Sequence, residues 1–426
     1  MEALKYVGKS ITRIDALEKV LGIAEYASDI ELPGMLHAKL LLSPHAHAKI
    51  ISINYEKALT VPKVVSVAVG DDFPSRVGLY VNDRNVLAKK KVRWAGEPVA
   101  AVVAEDLEAA EEAVELIEVE YEPLPAVLDV REALKPGSPL VHEELGEYAH
   151  SPAFNPIPGT NIANRFTLKK GNIVEGFNKS DVIVENEFYM PQVSHVPMET
   201  HVCIGHYMAD GNIKIWTSAQ SPFTVRYILS HSLGIPLHKI SIYTPHVGGG
   251  FGGKAGINFE PLVVLLSKKA GYRPVRLELT REEHFLAAPL RQGFYAKVKT
   301  GVTRDGKIMA EKLFYAFDAG AYADYGVNVA RAAGYACTGP YYVPNIEAES
   351  LAVYTNHQWG TAFRGFGHFE FLWAIERQME ILASELSMDP VEFRLKNALL
   401  PGLTTATGEV LREDAGRIDQ CINAVA

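Results

Sequence analysis

Cysteine is scarce in this sequence: the 426 residues include three cysteines, at Cys203, Cys337 and Cys421. Because the three are widely spaced, they form neither a disulfide framework nor a CxxC metal site. They are also too few for an iron–sulfur cluster, which needs about four thiolates. Any such cluster that works with this protein is therefore expected on another chain.

Long apolar runs and a positive net charge are also missing. The longest apolar stretches, such as residues 99–104 and 262–266, are the size of core elements and too short to cross a bilayer. The formal net charge of −9 argues against nucleic-acid binding, which needs a basic surface. The N-terminus has no basic region followed by an apolar one, so no signal peptide is predicted. We therefore expect a cytoplasmic protein with no membrane contact.

The chain is predicted to be of class α+β and to form two domains, residues 1–145 and 146–426. In the first, residues 99–104 are typical of a buried strand, and Asp106 is predicted to cap the helix that follows. A stretch rich in proline and glycine, residues 135–159, is predicted to link the two domains.

The second domain is predicted to mix hairpins with single helices. Asp210-Gly211 and Asp305-Gly306 each separate two apolar stretches, which is a strong hairpin signal. The remaining elements follow from periodicity and end signals: helices over residues 223–234, 257–270 and 370–386, and strands over 239–247 and 351–354.

Residues 248–254 read Gly-Gly-Gly-Phe-Gly-Gly-Lys. Without Cβ atoms, such a loop lets backbone N–H groups approach a ligand closely. Three interpretations compete. A P-loop fits the Gly-x4-Gly-Lys frame, but Ala255 stands where that motif needs the Ser or Thr that binds Mg²⁺. A tight structural turn is the second, although it does not explain why Phe251 stands among the glycines.

The third interpretation is the loop of a Rossmann-type NAD-dependent dehydrogenase. Gly248, Gly250 and Gly253 have the spacing of that fingerprint, between a predicted strand and a predicted helix. Glu278, at the end of the next strand, could then bind the ribose.

A second cluster, Thr-Ala-Phe-Arg-Gly-Phe-Gly over residues 361–367, lies between a predicted strand and a helix that begins near Phe369. Its glycines and the helix N-terminus offer N–H donors to an anion or an oxo group. Arg364 could instead form a surface salt bridge, and the two phenylalanines could belong to a core.

The two motifs, in this order, resemble those of the xanthine dehydrogenase and aldehyde oxidase family of molybdenum hydroxylases. Further stretches agree in order: residues 96–100, 198–201, 217–220, 271–276 and 343–345. The resemblance spans essentially the whole chain. It implies an N-terminal α/β hammerhead domain followed by the first half of a molybdenum-cofactor-binding domain.

At the matching positions the resemblance implies a cofactor site. Gln220 would donate its side-chain amide to an oxo ligand of molybdenum, and Phe251 and Gly252 would lie against the metal and the pterin dithiolene. Three residues would line the metal site with backbone amides: Ala362, Phe363 and Arg364. No protein side chain would ligate the metal.

The resemblance also implies a substrate. Phe366 would stack on an aromatic substrate, and Arg331, which matches only across a one-residue gap, would bind it as well. Purine-binding members carry a glutamate where this sequence has Ala255, which favours a small N-heteroaromatic substrate such as nicotinate over xanthine. Another heterocycle or an aldehyde stays open.

The family's catalytic base, a glutamate, has no counterpart in matching context here. The resemblance to nicotinate-hydroxylating members therefore implies that a second molybdopterin subunit supplies it, and that iron–sulfur and FAD subunits accept the electrons. The cofactor would be molybdopterin, as a cytosine dinucleotide, with a terminal sulfido or selenido ligand on molybdenum.

Single residues allow other interpretations. His195, Glu199 and His201 could bind zinc, although their spacing misses the His-Glu-x-x-His helix pattern. His45 and His47 are more typical of solvated loop histidines. No Gly-x-Ser-x-Gly elbow supports a serine hydrolase. A binding subunit that has lost its metal is the non-catalytic alternative.

Overall fold

The computed structural model describes residues 4–426. Residues 1–3, on which the prediction of no signal peptide partly depends, lie outside the described residues. Among the described residues, no helix has the length and apolar run that a membrane crossing needs. The cytoplasmic location stays a prediction.

The elements alternate between strands and helices along the chain. The strands are β1 (Leu36–Leu42), β2 (Ala48–Asn54), β3 (Val64–Val69), β4 (Arg76–Val77), β5 (Arg84–Asn85), β6 (Lys91–Val92), β7 (Pro98–Ala104), β8 (Glu118–Pro123), β9 (Ile162–Lys170), β10 (Val182–Met190), β11 (Val193–Ser194), β12 (Val202–Tyr207), β13 (Ile213–Thr217), β14 (Ile240–Tyr243), β15 (Val275–Glu278), β16 (Leu290–Arg291), β17 (Gly293–Val302), β18 (Ile308–Gly320), β19 (Ile346–Tyr354) and β20 (Gly360–Thr361). The α-helices are α1 (Ala16–Val20), α2 (Leu107–Glu115), α3 (Val130–Ala133), α4 (Ile173–Asn178), α5 (Pro222–Leu233), α6 (Glu260–Lys269), α7 (Arg281–Ala287), α8 (Gly326–Tyr335), α9 (His368–Glu385), α10 (Pro390–Asn397) and α11 (Ile418–Val425). Short 3-10 helices lie at Ala27–Asp29, Ala58–Thr60, Gly70–Asp72, Leu145–Glu147 and Leu237–Lys239.

The largest sheet has seven strands in the order β14-β13-β12-β15-β1-β7-β3. It joins strands from both predicted domains, because β1 pairs in parallel with β15, with Leu36 opposite Val275. β7 is buried along its whole length, since it lies inside the sheet between β1 and β3. The division at residue 145 stays a prediction.

A second sheet of five strands, in the order β10-β17-β18-β19-β9, carries the largest core. β17 and β18 form the predicted hairpin around Asp305-Gly306, with Thr300 opposite Glu311. Helices α8 and α9 pack on this sheet through a face of alanines and other apolar side chains. The second glycine cluster lies directly before α9, so this packing fixes where it stands.

Several predicted elements are confirmed. The Asp106 side chain accepts the N–H of Ala109 and caps α2, since its carboxylate satisfies a donor that the first turn leaves unpaired. β12 and β13 pair around Asp210-Gly211. α5 ends at Gly234, which adopts the left-handed conformation with φ +66°.

Two predicted boundaries are wrong, and the predicted linker packs against the core. The strand over 239–247 ends at Tyr243, before Pro245, which has no N–H to donate to a ladder. The helix over 257–270 begins at Glu260, which places Pro261 in the first turn, where the missing N–H costs nothing. The predicted linker is packed rather than exposed, because Val141, Leu145 and Phe154 are buried in the largest core.

Candidate functional site

The two glycine clusters meet in space. We call residues 248–254 the first loop and residues 361–367 the second loop. The N–H of Arg364 donates to the carbonyl of Phe251 over 2.8 Å. A Cβ atom on Gly252 would lie 2.3 Å from the carbonyl oxygen of Ala362, closer than non-bonded atoms can approach. Glycine is therefore required where the loops cross.

Each loop holds one phenylalanine in the left-handed region of backbone space. φ is +53° at Phe251 and +51° at Phe366. A bulky side chain in this region costs roughly 1–3 kcal/mol, so such residues cluster at sites where geometry serves function. Phe251 is exposed, whereas Phe366 is half-buried and meets Tyr325 edge-on, with ring centroids 6.0 Å apart.

The Gln220 side chain is anchored by the first loop. Its Oε1 accepts the N–H of Gly252 over 2.9 Å and that of Lys254 over 3.3 Å. Two donors at one atom settle which end of the amide is oxygen, because a flipped amide would set NH₂ against N–H. The Nε2 amide is therefore held as a free donor. A Cβ on Gly250 would lie 2.4 Å from this Oε1, so the loop also needs glycine there.

The second loop offers backbone donors beside the crossing. Among the residues that the structure describes, no protein acceptor lies within hydrogen-bond distance of the N–H groups of Ala362 and Phe363. The N–H of Arg364 differs, since it donates to the carbonyl of Phe251, and its part as a donor to the metal site stays a prediction. α9 begins at His368, and its N-cap residue Gly367 has no side chain to cap it, so the first turn adds the positive end of a helix dipole.

The segment before β12 holds both loops in place. His195 Nε2 donates to the carbonyl of Ala362 in the second loop over 2.7 Å. His201 Nε2 donates to the carbonyl of Gly253 in the first loop over 3.2 Å. Glu199 accepts the N–H of Gly248 over 2.8 Å. The alternative of a zinc site is wrong, because these three side chains bind the loops, and no described cluster of His, Cys, Asp and Glu could hold a metal ion.

A buried ion pair locks the first loop. Lys254 Nζ lies 2.7 Å from Glu199 Oε2, and the lysine side chain is fully buried. Burial lowers the pKa of Lys254, while the hydrogen bond to Glu199 raises it. Burial also lowers the pKa of His195 and holds that of His201 well below its usual value. Both histidines are therefore neutral near pH 7, with the proton on Nε2, because each Nε2 faces a carbonyl.

Arg291 was missed by sequence analysis. Its guanidinium lies over the rings of Phe363 and Phe369, 5.9 and 5.3 Å from their centroids, and Nε is 3.7 Å from the Glu370 carboxylate. The parallel pairing of β16 with β20, which sets Arg291 opposite Thr361, brings it there. No motif surrounds Arg291 in the sequence, so no signal could have found it.

Arg331 is not brought to the loops. Its guanidinium lies over the Phe154 ring, 5.8 Å from the centroid. The face of α8 that approaches the second loop carries Val329 and Ala333, which a Cβ on Gly367 would meet at 2.8 to 3.4 Å. Arg331 points to the other side of the helix, and the structure does not support its predicted contact with substrate.

The geometry also decides against a dinucleotide loop. β14 and β15 flank the first loop in sequence but are separated in the sheet by β13 and β12, so they form no adjacent parallel pair. α6 begins at Glu260, beyond the loop, so its N-terminus does not open at the glycines. The Rossmann interpretation is therefore wrong.

The described carboxylates near the crossing are largely buried, and each faces a neighbouring side chain. Glu199 is bound to Lys254, Glu370 faces Arg291, and Asp324 accepts the hydroxyl of Thr361 in the second loop. His47, the other histidine considered as a ligand, is buried and donates to the Pro125 carbonyl, while the His45 ring contacts Tyr121. The crossing therefore offers uncharged N–H donors, while the carboxylates around it are held inside the protein.

Comparison with known proteins identifies the family. The model of the molybdopterin cofactor-binding domain matches residues 154–398. That of the aldehyde oxidase and xanthine dehydrogenase a/b hammerhead domain matches residues 21–125. The nicotinate dehydrogenase large molybdopterin subunit of Eubacterium barkeri is 33% identical over 97% of this chain and 94% of its own length. The chain belongs to the xanthine dehydrogenase family of molybdenum-binding subunits.

Other members of the xanthine dehydrogenase family are longer. The xanthine dehydrogenase molybdenum-binding subunit of Escherichia coli O157:H7 is 33% identical over 92% of this chain but 52% of its own length. The structure of quinoline 2-oxidoreductase from Pseudomonas putida 86 superposes with a TM-score of 0.85 and 32% identity, over 98% of this chain and 53% of that one. The chain thus spans about half the length of these two relatives. A hammerhead domain followed by a molybdenum-cofactor domain is confirmed.

The loop crossing fits the family's cofactor. A metal that carries oxo and sulfur ligands is electron-rich at its periphery, and a close shell of uncharged N–H donors stabilises it. The Gln220 amide and the N–H groups of Ala362 and Phe363 supply such donors. A Cβ atom at Gly250 would clash with Gln220 Oε1, and one at Gly252 would clash with the Ala362 carbonyl oxygen, so either side chain would disturb these donors.

Proposed function

We propose that this chain is the large molybdopterin subunit of a molybdenum hydroxylase that adds a water-derived hydroxyl group to an N-heteroaromatic ring, with nicotinate as the first substrate to test. The observation that carries the proposal is the crossing of the two loops around a Gln220 amide whose oxygen is occupied and whose NH₂ is free. The 33% identity to a nicotinate dehydrogenase subunit over 97% of this chain supports the substrate class.

The proposed cofactor is molybdopterin as a cytosine dinucleotide, with a terminal sulfido or selenido ligand. When bound, it would supply the two-electron oxidation and the oxygen transfer. The residues of this chain bind and orient it. Gln220 would donate to an oxo group through its free amide, the N–H groups of Ala362 and Phe363 would donate nearby, and the exposed Phe251 ring and Gly252 would lie against the dithiolene.

Substrate positioning is assigned to the second loop. Phe366 keeps part of its ring exposed while Tyr325 and the core support the rest, so a flat heteroaromatic ring can stack on it. Arg364 has an exposed side chain without an ion pair, which suits an anionic substituent such as a carboxylate. We leave Arg331 out of the proposed site.

We further propose that partner subunits complete the enzyme. The base that takes the proton of the attacking water is assigned to a second molybdopterin subunit, since Glu199, Glu370 and Asp324 are largely buried beside Lys254, Arg291 and Thr361. Electrons are assigned to iron–sulfur and FAD subunits, because the three cysteines lie apart, in β12, in the turn after α8 and in α11, and two of them are buried.

The test compares Gln220→Glu with Gln220→Ala in the assembled enzyme. Glutamate keeps an oxygen that accepts both loop N–H groups, but it has no NH₂ to donate. The Gln220→Glu variant therefore tests the donated hydrogen bond while the side chain stays anchored to the first loop. Loss of a hydrogen bond to a charged partner costs roughly 1.5–3 kcal/mol, so turnover per bound molybdenum should fall about ten- to a hundredfold in both variants. Gln420→Glu, on exposed α11, serves as the control. Full turnover by Gln220→Glu, or no molybdenum in the native enzyme, would contradict the proposal.

A further inference from the structure

A basic pocket lies in the N-terminal part of the chain, away from the two loops. Its volume is about 260 Å³. The residues that line it are Pro74, Arg76, Asn85, Lys89, Lys90, Lys91, Arg93, Glu143 and Glu144. None of them belongs to the first or the second loop, so the pocket is separate from the proposed cofactor site.

The pocket concentrates positive charge in an acidic protein. Five lining side chains are cationic and two are anionic, a surplus of three positive charges, whereas the whole chain carries −9. Glu97 lies behind the pocket, where its carboxylate accepts the backbone N–H of Arg93. When the Glu97 carboxylate is counted as ionised, the surplus falls from three positive charges to two. Such a local field attracts anions against the overall charge of the molecule.

Two of the cations are buried in the fold. Arg93 is 4% exposed and Lys91 is 9% exposed. Arg93 Nε donates to the Val141 carbonyl over 3.1 Å, which fixes its guanidinium at the pocket wall. Burying like charges together is costly unless counter-charges are close, so this arrangement needs an anion nearby.

The anions already present pair incompletely with these cations. Arg76 and Arg93 share one oxygen of Glu144, each at 3.4 Å, which is longer than the 2.7–2.9 Å of a strong charge-assisted bond. Glu143 forms a salt bridge with Lys91, with Nζ 2.7 Å from Oε2. Lys89 and Lys90 have no carboxylate within 4 Å among the described residues. Arg76 and Arg93 thus converge on Glu144, but this one carboxylate does not neutralise both guanidinium groups.

The positive field reaches the neighbouring histidines. After burial, the charge of Arg93 is the largest cause that lowers the pKa of His142, and Lys91 and Arg76 add to it. Lys91 and Arg93 also lower the pKa of His47. Neither histidine adds to the positive charge, because both stay neutral near pH 7.

We propose that this pocket binds a phosphate-type oxyanion, held by the converging side chains of Arg76, Lys91 and Arg93. Lys89, Lys90 and the amide of Asn85 would supply further donors. Apart from Pro74, every residue that lines the pocket carries a polar or charged side chain. Guanidinium and ammonium groups that converge on one small volume match the several oxygens of a phosphate.

The test is calorimetric titration of the folded chain, and of the assembled enzyme, with inorganic phosphate, pyrophosphate and acetate at about 50 mM salt, where screening is modest. The variant is Lys89→Ala/Lys90→Ala, because neither lysine has an ion pair to lose. The matched control is Lys214→Ala/Lys307→Ala, two lysines elsewhere that also lack carboxylate partners. Circular dichroism checks that both variants fold.

We expect one phosphate or pyrophosphate per chain, acetate binding at least tenfold weaker, and at least a tenfold loss of affinity in Lys89→Ala/Lys90→Ala only. Pyrophosphate binding tighter than phosphate would identify a nucleotide-type ligand, and equal affinities would identify free phosphate. Equal loss in the control, several weak sites, or no binding would overturn the proposal. Phosphate binding to the isolated chain but not to the assembled enzyme would also overturn the proposal, since the pocket would then be a subunit contact.

Discussion

The Glu199–Lys254 pair allows the sharpest test of how the first loop is held. Lys254→Met removes the ammonium and leaves the Glu199 carboxylate, whose side chain is 9% exposed, with the N–H of Gly248 as its remaining donor. One of its oxygens has no partner even in the native protein. An uncompensated buried charge costs about 3–5 kcal/mol, so the free energy of unfolding should fall by about that amount.

The double variant Glu199→Gln/Lys254→Met should recover most of this loss. Glutamine still accepts the N–H of Gly248, and no buried charge is left, so the change from native should be within about 1.5 kcal/mol. Glu199→Gln alone should be destabilising, because it leaves the Lys254 ammonium buried. The three variants and the native protein thus form a double-mutant cycle.

The assay is urea unfolding followed by tryptophan fluorescence, together with molybdenum content of the assembled enzyme. We expect both single variants to lose stability and molybdenum, and the double variant to regain both. If the double variant is as unstable as Lys254→Met, the two side chains are not coupled and the ion pair does not hold the loop.

Further predictions follow from other contacts. Gly252→Ala should lower molybdenum content severalfold, since its Cβ would meet the Ala362 carbonyl, whereas Gly408→Ala, at a similar positive φ but in open space, should cost about 1–2 kcal/mol and leave molybdenum unchanged. Equal molybdenum loss in both would refute a role for the crossing. Burial raises the pKa of Glu311 to about 8, so the folded state retains a proton that the unfolded state has lost above pH 4.5. The free energy of unfolding of the native protein should therefore fall by on the order of 5 kcal/mol between pH 4.5 and 8, relative to that of Glu311→Gln. Urea unfolding at several pH values measures this, and the same pH dependence in both proteins would contradict it. Arg331→Ala should leave the KM for substrate unchanged, because Arg331 lies over Phe154. A large rise in KM would instead show that Arg331 contacts the substrate.

Local signals predicted the elements that depend on local chemistry. The Asp106 cap, the hairpins at Asp210 and Asp305 and the glycine that ends α5 were all predicted from residue type and spacing, because each is stabilised by bonds within a few residues. Boundaries failed where a proline set the limit, as at Pro245 and Pro261, since apolar periodicity continues across them.

Long-range pairing could not be predicted in the same way. β1 pairs with β15, and nothing local to Leu36 or Val275 indicates the other strand. The same limit explains the site residues that were missed or misjudged. Arg291 reaches Phe363 through the pairing of β16 and β20, and His195 and His201 bind loop carbonyls rather than zinc.

The two loops were found because glycine and phenylalanine form unusual strings in both. Their meeting is confirmed by the bond from Arg364 to Phe251. The resemblance did not show which amides are free, because that depends on the hydrogen bonds of the folded chain. The structure leaves Ala362 and Phe363 as donors and engages Arg364.

The most direct test of the loop crossing as the metal site is a crystal structure of the native assembled enzyme, with anomalous data collected at the molybdenum edge. The account predicts a single peak for each copy of this chain, beside Gln220 Nε2 and the amides of Ala362 and Phe363, with Phe251 against the dithiolene. A peak elsewhere on the chain, or none in an active enzyme, would contradict it.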